Sequence, residues 1–411
     1  MKYLFSSAIC LALVLFSLSE AFAQKDTLAS ECRPDRLGLG ASVSWSYLFP
    51  KGEHNQEVMK SHNVGYADLR LLYQSGSNDV YERGFNHPMI EFGLLYGVFS
   101  NIKLQGPYTP YRGKVGHEIT LYAGMRYSFL NFGNWSIGGD FQNGIAYFSK
   151  RFNENTNKDN WLIGSRLSVF ISAGVYVQYK FSKDWLVSLG ADFKHVSNGT
   201  LARPNLGANT AGPILMFAYV PEYKKKTDCC TSPRIEFEKE KNGFHSKRGI
   251  YLEVSAGIAG NTLTEQFHTF EKNHYTVYGS FISQVAGMYR YSALMATGLE
   301  IDYRRANYAS RLRYYDQLAG YEFNKYSKNV FGFGFQHEIF YHSISLQAGA
   351  GIYLYRKLGH TTKDSGKSYQ TVGIRYNFPF TGNRMFIGYN VKAHNFSKAD
   401  AMQLHLGYRF F

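Results

Sequence analysis

From Leu37 to Tyr47 the chain alternates without a break. Leu37, Leu39, Ala41, Val43, Trp45 and Tyr47 fall on one parity, and Gly38, Gly40, Ser42, Ser44 and Ser46 on the other. The pattern recurs where Ile250, Leu252, Val254, Ala256 and Ile258 oppose Gly249, Tyr251, Glu253, Ser255 and Gly257. It closes the sequence, with Met402, Leu404, Leu406, Tyr408 and Phe410 against Gln403, His405, Gly407 and Arg409. A period of two places each set on one face of a strand, so each strand has an oily side and a wetter one. A soluble sandwich alternates too. These segments, however, run to about 10–14 residues, nearer the roughly 9–11 that cross a bilayer at a tilt than the usual 5–6. Tyr and Phe gather at segment ends, as in Tyr289–Tyr291 and Tyr376–Phe380, which suits an interfacial girdle, and the last strand ends on Phe411. The expected fold is all-β: a transmembrane antiparallel β-barrel of the outer-membrane type.

Composition removes the competing classes. With 33 Tyr, 32 Phe and 4 Trp, the chain is far too aromatic for a disordered one. A helical membrane protein needs repeated apolar runs of about 20 residues, and here such a run occurs at Leu4–Leu18 alone. Preceded by Lys2 and followed by Ala21-Phe22-Ala23, that run reads as a signal peptide over 1–23, cleaved before Gln24. Cys32, Cys229 and Cys230 then remain, an odd number with two adjacent, so no disulfide scaffold is expected. The net charge of +14 suits either lipid phosphates or a basic barrel interior.

About sixteen segments can be counted. Eight lie near 36–48, 64–74, 88–99, 116–129, 134–148, 166–181, 184–196 and 212–221. Eight more lie near 248–258, 274–290, 294–304, 329–341, 344–356, 368–378, 384–393 and 400–411. The sets flank a Lys- and Glu-rich stretch at 222–247, which reads as a polar linker between a first half, 24–221, and a second, 248–411. One barrel of about sixteen strands and two eight-stranded units both satisfy the backbone in lipid. The halves also share vocabulary: Val177–Phe181 before Trp185–Lys194 parallels Ile374–Phe378 before Met385–Lys392. Duplication and the limited repertoire of barrel strands explain this equally well.

The stretch able to carry chemistry is Asp192-Phe193-Lys194-His195-Val196-Ser197-Asn198-Gly199, followed by Pro204-Asn205-Leu206-Gly207-Ala208-Asn209. By parity, Trp185, Val187, Leu189, Ala191 and Phe193 form the apolar face of this strand, and His195 and Ser197 continue it. Polar groups facing hydrocarbon are costly unless paired. A histidine beside a serine is the minimum for activating a hydroxyl nucleophile. Asn205, Asn198 and backbone N–H groups near the glycines offer donors for an oxyanion. With the N-terminus in the periplasm, the seventh strand ends at the outer leaflet, and the loop from Asn198 to Ala211 is extracellular. His337, His342, His360 and His405 are too scattered for a metal site, and no Cys/His spacing fits zinc. The Lys224–Lys226 run reads as solvated linker, and no nucleic-acid partner is expected.

His195-x-Ser197-Asn198-Gly199 with Pro204-Asn205-x-Gly207-x-Asn209 resembles the signature of the lipid A 3-O-deacylases, also called acyloxyacyl hydrolases. The resemblance implies an outer-membrane barrel of a Gram-negative bacterium that hydrolyses an ester-linked acyl chain of lipid A in lipopolysaccharide. It implies Ser197 as nucleophile, His195 as general base and Asn205 as oxyanion donor, with no cofactor. It is strongest over 185–215 and fades after 248. Where the family usually carries a Glu as third member, this chain has Asn209, which orients an imidazole but offers no charge. Asp192 lies on the opposite face, and Glu222 at the far end of the next strand. His394 reads as a structural echo on a polar face. The missing Glu keeps a second reading open, a non-enzymatic outer-membrane barrel serving as a pore or structural protein.

Overall fold

The computed structural model describes residues 33–106, 112–224, 248–270, 276–321, 325–394 and 398–410. The expected signal peptide, Cys32, Cys229, Cys230 and Phe411 lie outside them, as does nearly all of the stretch read as linker.

The choice between one barrel and two resolves as two closed eight-stranded antiparallel barrels. The first comprises β1 (Asp35–Leu48), β2 (Asn63–Gln74), β3 (Met89–Phe99), β4 (Gly116–Phe132), β5 (Trp135–Phe148), β6 (Leu167–Lys180), β7 (Trp185–Ser197) and β8 (Ala208–Tyr219). Each strand pairs with its sequence neighbour, and β1 closes the ring by pairing with both β2 and β8. A short strand, β9 (Glu222–Lys224), adds beside the start of β1. This corrects the reading of those three residues as linker; Glu222 is held there by an ion pair with Lys183 at 3.0 Å. The second barrel comprises β10 (Gly249–Asn261), β11 (Tyr278–Arg290), β12 (Met295–Ala306), β13 (Asn329–Tyr341), β14 (Ile344–Tyr355), β15 (Ser368–Asn377), β16 (Met385–His394) and β17 (Lys398–Phe410). Pairing of β10 with β17 closes it. Closure leaves no open sheet edge, so backbone N–H and C=O groups pair without water.

Parity behaves as the alternation requires. Leu39, Val43 and Trp45 on β1 face outward, with Leu39 67% exposed, whereas Ser42, Ser44 and Ser46 turn into the lumen. The two lumens are filled by charge pairs. In the first barrel the Arg70 guanidinium donates to Glu91 at 2.8 Å and, through Nε, to Asp68 at 2.9 Å. Tyr122 also donates to Asp68, and Lys194 pairs with Asp192 at 2.5 Å. In the second, Arg375 and Arg409 each bridge Glu253 and Glu338, and Lys392 meets Asp302 at 2.7 Å. A buried charge is tolerated when paired and hydrogen-bonded; in the first barrel the partners sit on the same or a neighbouring strand, and in the second they join strands distant in sequence. They account for part of the basic composition.

Towards one end of the first barrel the filling changes from ionic to apolar. Leu48, Val58, Leu104, Phe148, Leu162, Phe170, Val196 and Ala208 belong to one buried cluster at this end. Four connections gather here, including α1 (Gly52–Val58); at the other end β4–β5 and β6–β7 turn tightly and the β2–β3 connection carries a short helix, Val80–Gly84. All four tryptophans, Trp45, Trp135, Trp161 and Trp185, belong to this barrel, so tryptophan emission excited selectively at about 295 nm, to the red of tyrosine absorption, reports on it alone. Arg70→Met strands two buried carboxylates, and about 3–5 kcal/mol of stability should be lost. Urea titration of tryptophan emission in lipid vesicles should show the midpoint fall while Arg70→Lys falls less.

Candidate active site

β7 delivers His195 and Ser197 to the outer wall of the first barrel. On this strand Leu186, Ser188, Asp192, Lys194 and Val196 are buried, and Trp185, Leu189 and Ala191 are exposed. His195 and Ser197 continue the outward series, each half-buried. Same-face neighbours two apart on a strand are separated by about 6.5–7 Å along the backbone. Side-chain rotamers close that gap with the strand still regular: His195 Nε2 lies 2.9 Å from Ser197 Oγ.

The opposite ring nitrogen is fixed by β8. His195 pairs directly with Asn209 in the β7–β8 register, and Asn209 Oδ1 sits 2.7 Å from His195 Nδ1. A carbonyl oxygen accepts and cannot donate, so Nδ1 carries the proton and Nε2 presents its lone pair to the serine hydroxyl. On the β6 side the pair is flanked by Val169 and Ile171, the register partners of Ser197 and His195. On that side the pair is bordered by aliphatic residues, a setting in which polar groups must satisfy one another.

The loop between β7 and β8 is held by hydrogen bonds on its own chain and from its neighbours. Asn205 Oδ1 accepts from the Asn198 backbone N–H at 3.2 Å, which leaves the Asn205 side-chain NH₂ as its donor group. Asn198 itself is buried, 4% exposed, and its N–H is spent on Asn205. Leu206 N–H donates to Trp161 O at 3.0 Å and Gly207 N–H to Leu162 O at 3.1 Å, tying this loop to the β5–β6 loop. Trp161 in turn stacks on His54 of α1, ring centroids 3.9 Å apart. Phe49 N–H donates to Asn209 O at 2.9 Å, anchoring the start of β8 to the end of β1.

Gly207 has a structural role that the motif does not explain by itself. Its φ is +75°, and a Cβ there would lie 3.0 Å from Val196 O, 3.2 Å from His195 Cε1 and 3.3 Å from Ser197 Cβ. The bare backbone thus lets the loop press against the edge of the imidazole.

The remaining sequence-predicted residues fall elsewhere. Asp192 turns into the lumen to Lys194, and Glu222 forms its ion pair with Lys183. His394 is buried in the second barrel, its Nδ1 3.1 Å from Ser368 O. The Trp161–His54 stack and the tie from Leu162 to Gly207 were not legible beforehand, since the β5–β6 loop carries no signature. Gly207→Ala should lower stability by more than about 1 kcal/mol, because Ala is strained at positive φ. The change should appear as an earlier thermal transition and altered emission from Trp161.

Comparison with known proteins comes in two parts. Residues 37–218 match the family profile described as lipid A 3-O-deacylase (PagL), and residues 250–411 match that of the acyloxyacyl hydrolase C-terminal domain. The resemblance therefore does not fade at 248: the second barrel carries a profile of its own. No curated protein matches the chain. Among solved structures, the outer membrane enzyme PagL is 17% identical, covering 44% of this chain and 97% of its own, with a TM-score of 0.28. An outer membrane channel from Pseudomonas putida F1 is 11% identical, covering 94% of this chain and 98% of its own, at 0.20. With both halves matched by profiles of one family, the chain belongs to the lipid A 3-O-deacylase, or acyloxyacyl hydrolase, family.

Proposed function

We propose that this protein is a serine esterase of the Gram-negative outer membrane that removes an ester-linked acyl chain from lipid A. The observation carrying the reading is the Asn209–His195–Ser197 relay on the outward face, at 2.7 Å and 2.9 Å. A hydrolase of aqueous substrates has no use for a nucleophile on the greasy side of a barrel; one acting on a membrane lipid does.

The chemistry follows from the relay. Ser197 Oγ attacks the ester carbonyl as its proton passes to His195 Nε2. Asn205, steadied by the Asn198 N–H, turns its NH₂ to the oxygen that gains charge, and Asn198 thereby acts as an anchor for the donor. Collapse of the tetrahedral intermediate expels the sugar hydroxyl, which takes the proton from His195. Water, deprotonated by the same imidazole, then releases the fatty acid and restores Ser197. Asn209 keeps the imidazole in the reactive tautomer, but without a carboxylate's charge the imidazolium is less stabilised than in a Glu-bearing triad.

An acyl chain has somewhere to lie. Trp45, Gly65, Ala67, Leu189 and Pro213 line an apolar groove in the wall of the first barrel. Pro213 is four residues below Asn209 on β8, about 13 Å along the strand. The basic surplus of the chain suits the phosphates of the same lipid.

In lipid A extracted from membranes, wild-type protein should remove one hydroxyacyl chain by mass spectrometry, and Ser197→Ala none; an unaltered lipid A profile with wild type ends the enzyme reading. Asn209→Leu should lower kcat by about 10²-fold or more while KM changes little, because the tautomer is no longer fixed. The pore alternative gains nothing from the geometry, since eight strands leave a lumen just wide enough for side chains. Reconstituted in planar bilayers, the protein should give no porin-like conductance steps.

A further inference from the structure

The second barrel carries a feature that the esterase reading does not use. On the outer wall of β12, β13 and β14, Tyr303, Phe331 and Tyr355 form a continuous aromatic row. The Tyr303 and Phe331 ring centroids are 5.0 Å apart, and those of Phe331 and Tyr355 are 6.5 Å apart. Below it, Phe333, Phe335, Leu299 and Ile301 are exposed and apolar. Above it the chemistry turns cationic. Arg305 lies two residues beyond Tyr303 on the same outward parity and is exposed. Lys328, also exposed, is held beside it, since Ala306 N–H donates to Lys328 O at 2.6 Å. Ser327 N–H donates to Lys357 O at 2.8 Å, which fixes Lys357 next in the row, and its Nζ stands 5.0 Å from the Tyr355 ring.

Three adjacent strand ends span about 10 Å, so the three cations are concentrated over one headgroup's width. The segments 303–308, 325–331 and 353–359 contain Arg304, Arg305, Lys325, Lys328, Arg356 and Lys357 and no Asp or Glu. Arg304 turns inward and is consumed by Asp400 at 2.6 Å. Among the described residues, no carboxylate pairs with Arg305, Lys328 or Lys357. Solubility does not call for such segregation on a membrane-facing wall. Cations just above an aromatic belt match the layering of an anionic lipid, with chains below and phosphate above. This row lies at the end away from both β10's start and β17's finish, where the long connections gather. In outer-membrane barrels that end is extracellular.

We propose that Arg305, Lys328 and Lys357 form a binding site for the phosphate of lipid A on the outer wall of the second barrel. The guanidinium and two ammonium groups supply charge-assisted hydrogen bonds to the phosphate oxygens, and Phe331, Phe333 and Phe335 take the acyl chains. The site rests on the outer-membrane placement proposed above, but not on catalysis by Ser197.

The test uses full-length protein carrying Ser197→Ala, so that bound lipid stays intact, reconstituted with bisphosphorylated lipid A and examined by native mass spectrometry. The protein should retain lipid A through delipidation. Combining Arg305→Gln, Lys328→Gln and Lys357→Gln should reduce retention about tenfold or more, whereas Arg305→Lys with Lys328→Arg and Lys357→Arg should keep it. Dephosphorylated lipid A should bind as weakly as the triple variant, and millimolar inorganic phosphate should not displace the lipid. Equal retention by the triple variant, or equal binding of the dephosphorylated lipid, overturns the proposal. Competition by inorganic phosphate alone also overturns it, in favour of a free-anion site. Deacylation by the chain with Ser197 intact is assayed separately and tests the esterase reading, and neither result there alters the retention expected of the Ser197→Ala proteins. That separates failure of this site from failure of the esterase reading.

Discussion

A strand in hydrocarbon must give every backbone N–H and C=O a partner on another strand. In the membrane placement proposed above, closing each half of this chain into a ring meets that demand and leaves each side chain two destinations, lumen or outer wall. On β7 the demand becomes chemical. The parity that sends Leu189 and Ala191 to the wall sends His195 and Ser197 there also, while Lys194 and Val196 go inside. Shifting the register by one residue would exchange the sets and bury Ser197 among salt bridges. The site is thus a product of the ladder itself, with the β7–β8 register setting Asn209 opposite His195.

What surrounds the relay keeps it still. Behind it Val196 and Ala208 join the apolar cluster at the loop end of the lumen. Above it the β5–β6 loop grips Leu206 and Gly207 by their amides, and Trp161 rests on His54. Three connections distant in sequence, packed on one another, do for this site what a single rigid element does elsewhere. Pre-organisation of this kind matters more where the third relay member is uncharged, because orientation is the contribution left to it.

Much of this could be read in advance, for physical reasons that vary by element. Strands declared themselves because period-two alternation is obligatory when the two faces meet different media, as at Leu37–Tyr47 and Ile250–Ile258. The His195 and Ser197 orientation followed from the same parity. The number of barrels stayed open because closure is a matter of which edges meet, and β1 with β8 or β10 with β17 leaves no local mark. Likewise β9 was hidden in a polar stretch whose composition suggested a linker, although its backbone pairs with β1. Asn198 offers itself as a donor by proximity in sequence, and the hydrogen bond from its backbone N–H to Asn205 Oδ1 depends on a loop conformation that its sequence does not mark. The contacts of Gly207 with His195 depend on a left-handed turn, which a glycine permits without announcing.

A reactive hydroxyl on the outside of a cylinder, facing sideways, has a kinetic meaning. For the esterase proposed above, substrate arrives by lateral diffusion in a two-dimensional fluid, so turnover scales with the mole fraction of that lipid among its neighbours and not with any molarity in water. Diluting the leaflet with inert lipid slows such a catalyst, even with enzyme and substrate totals unchanged.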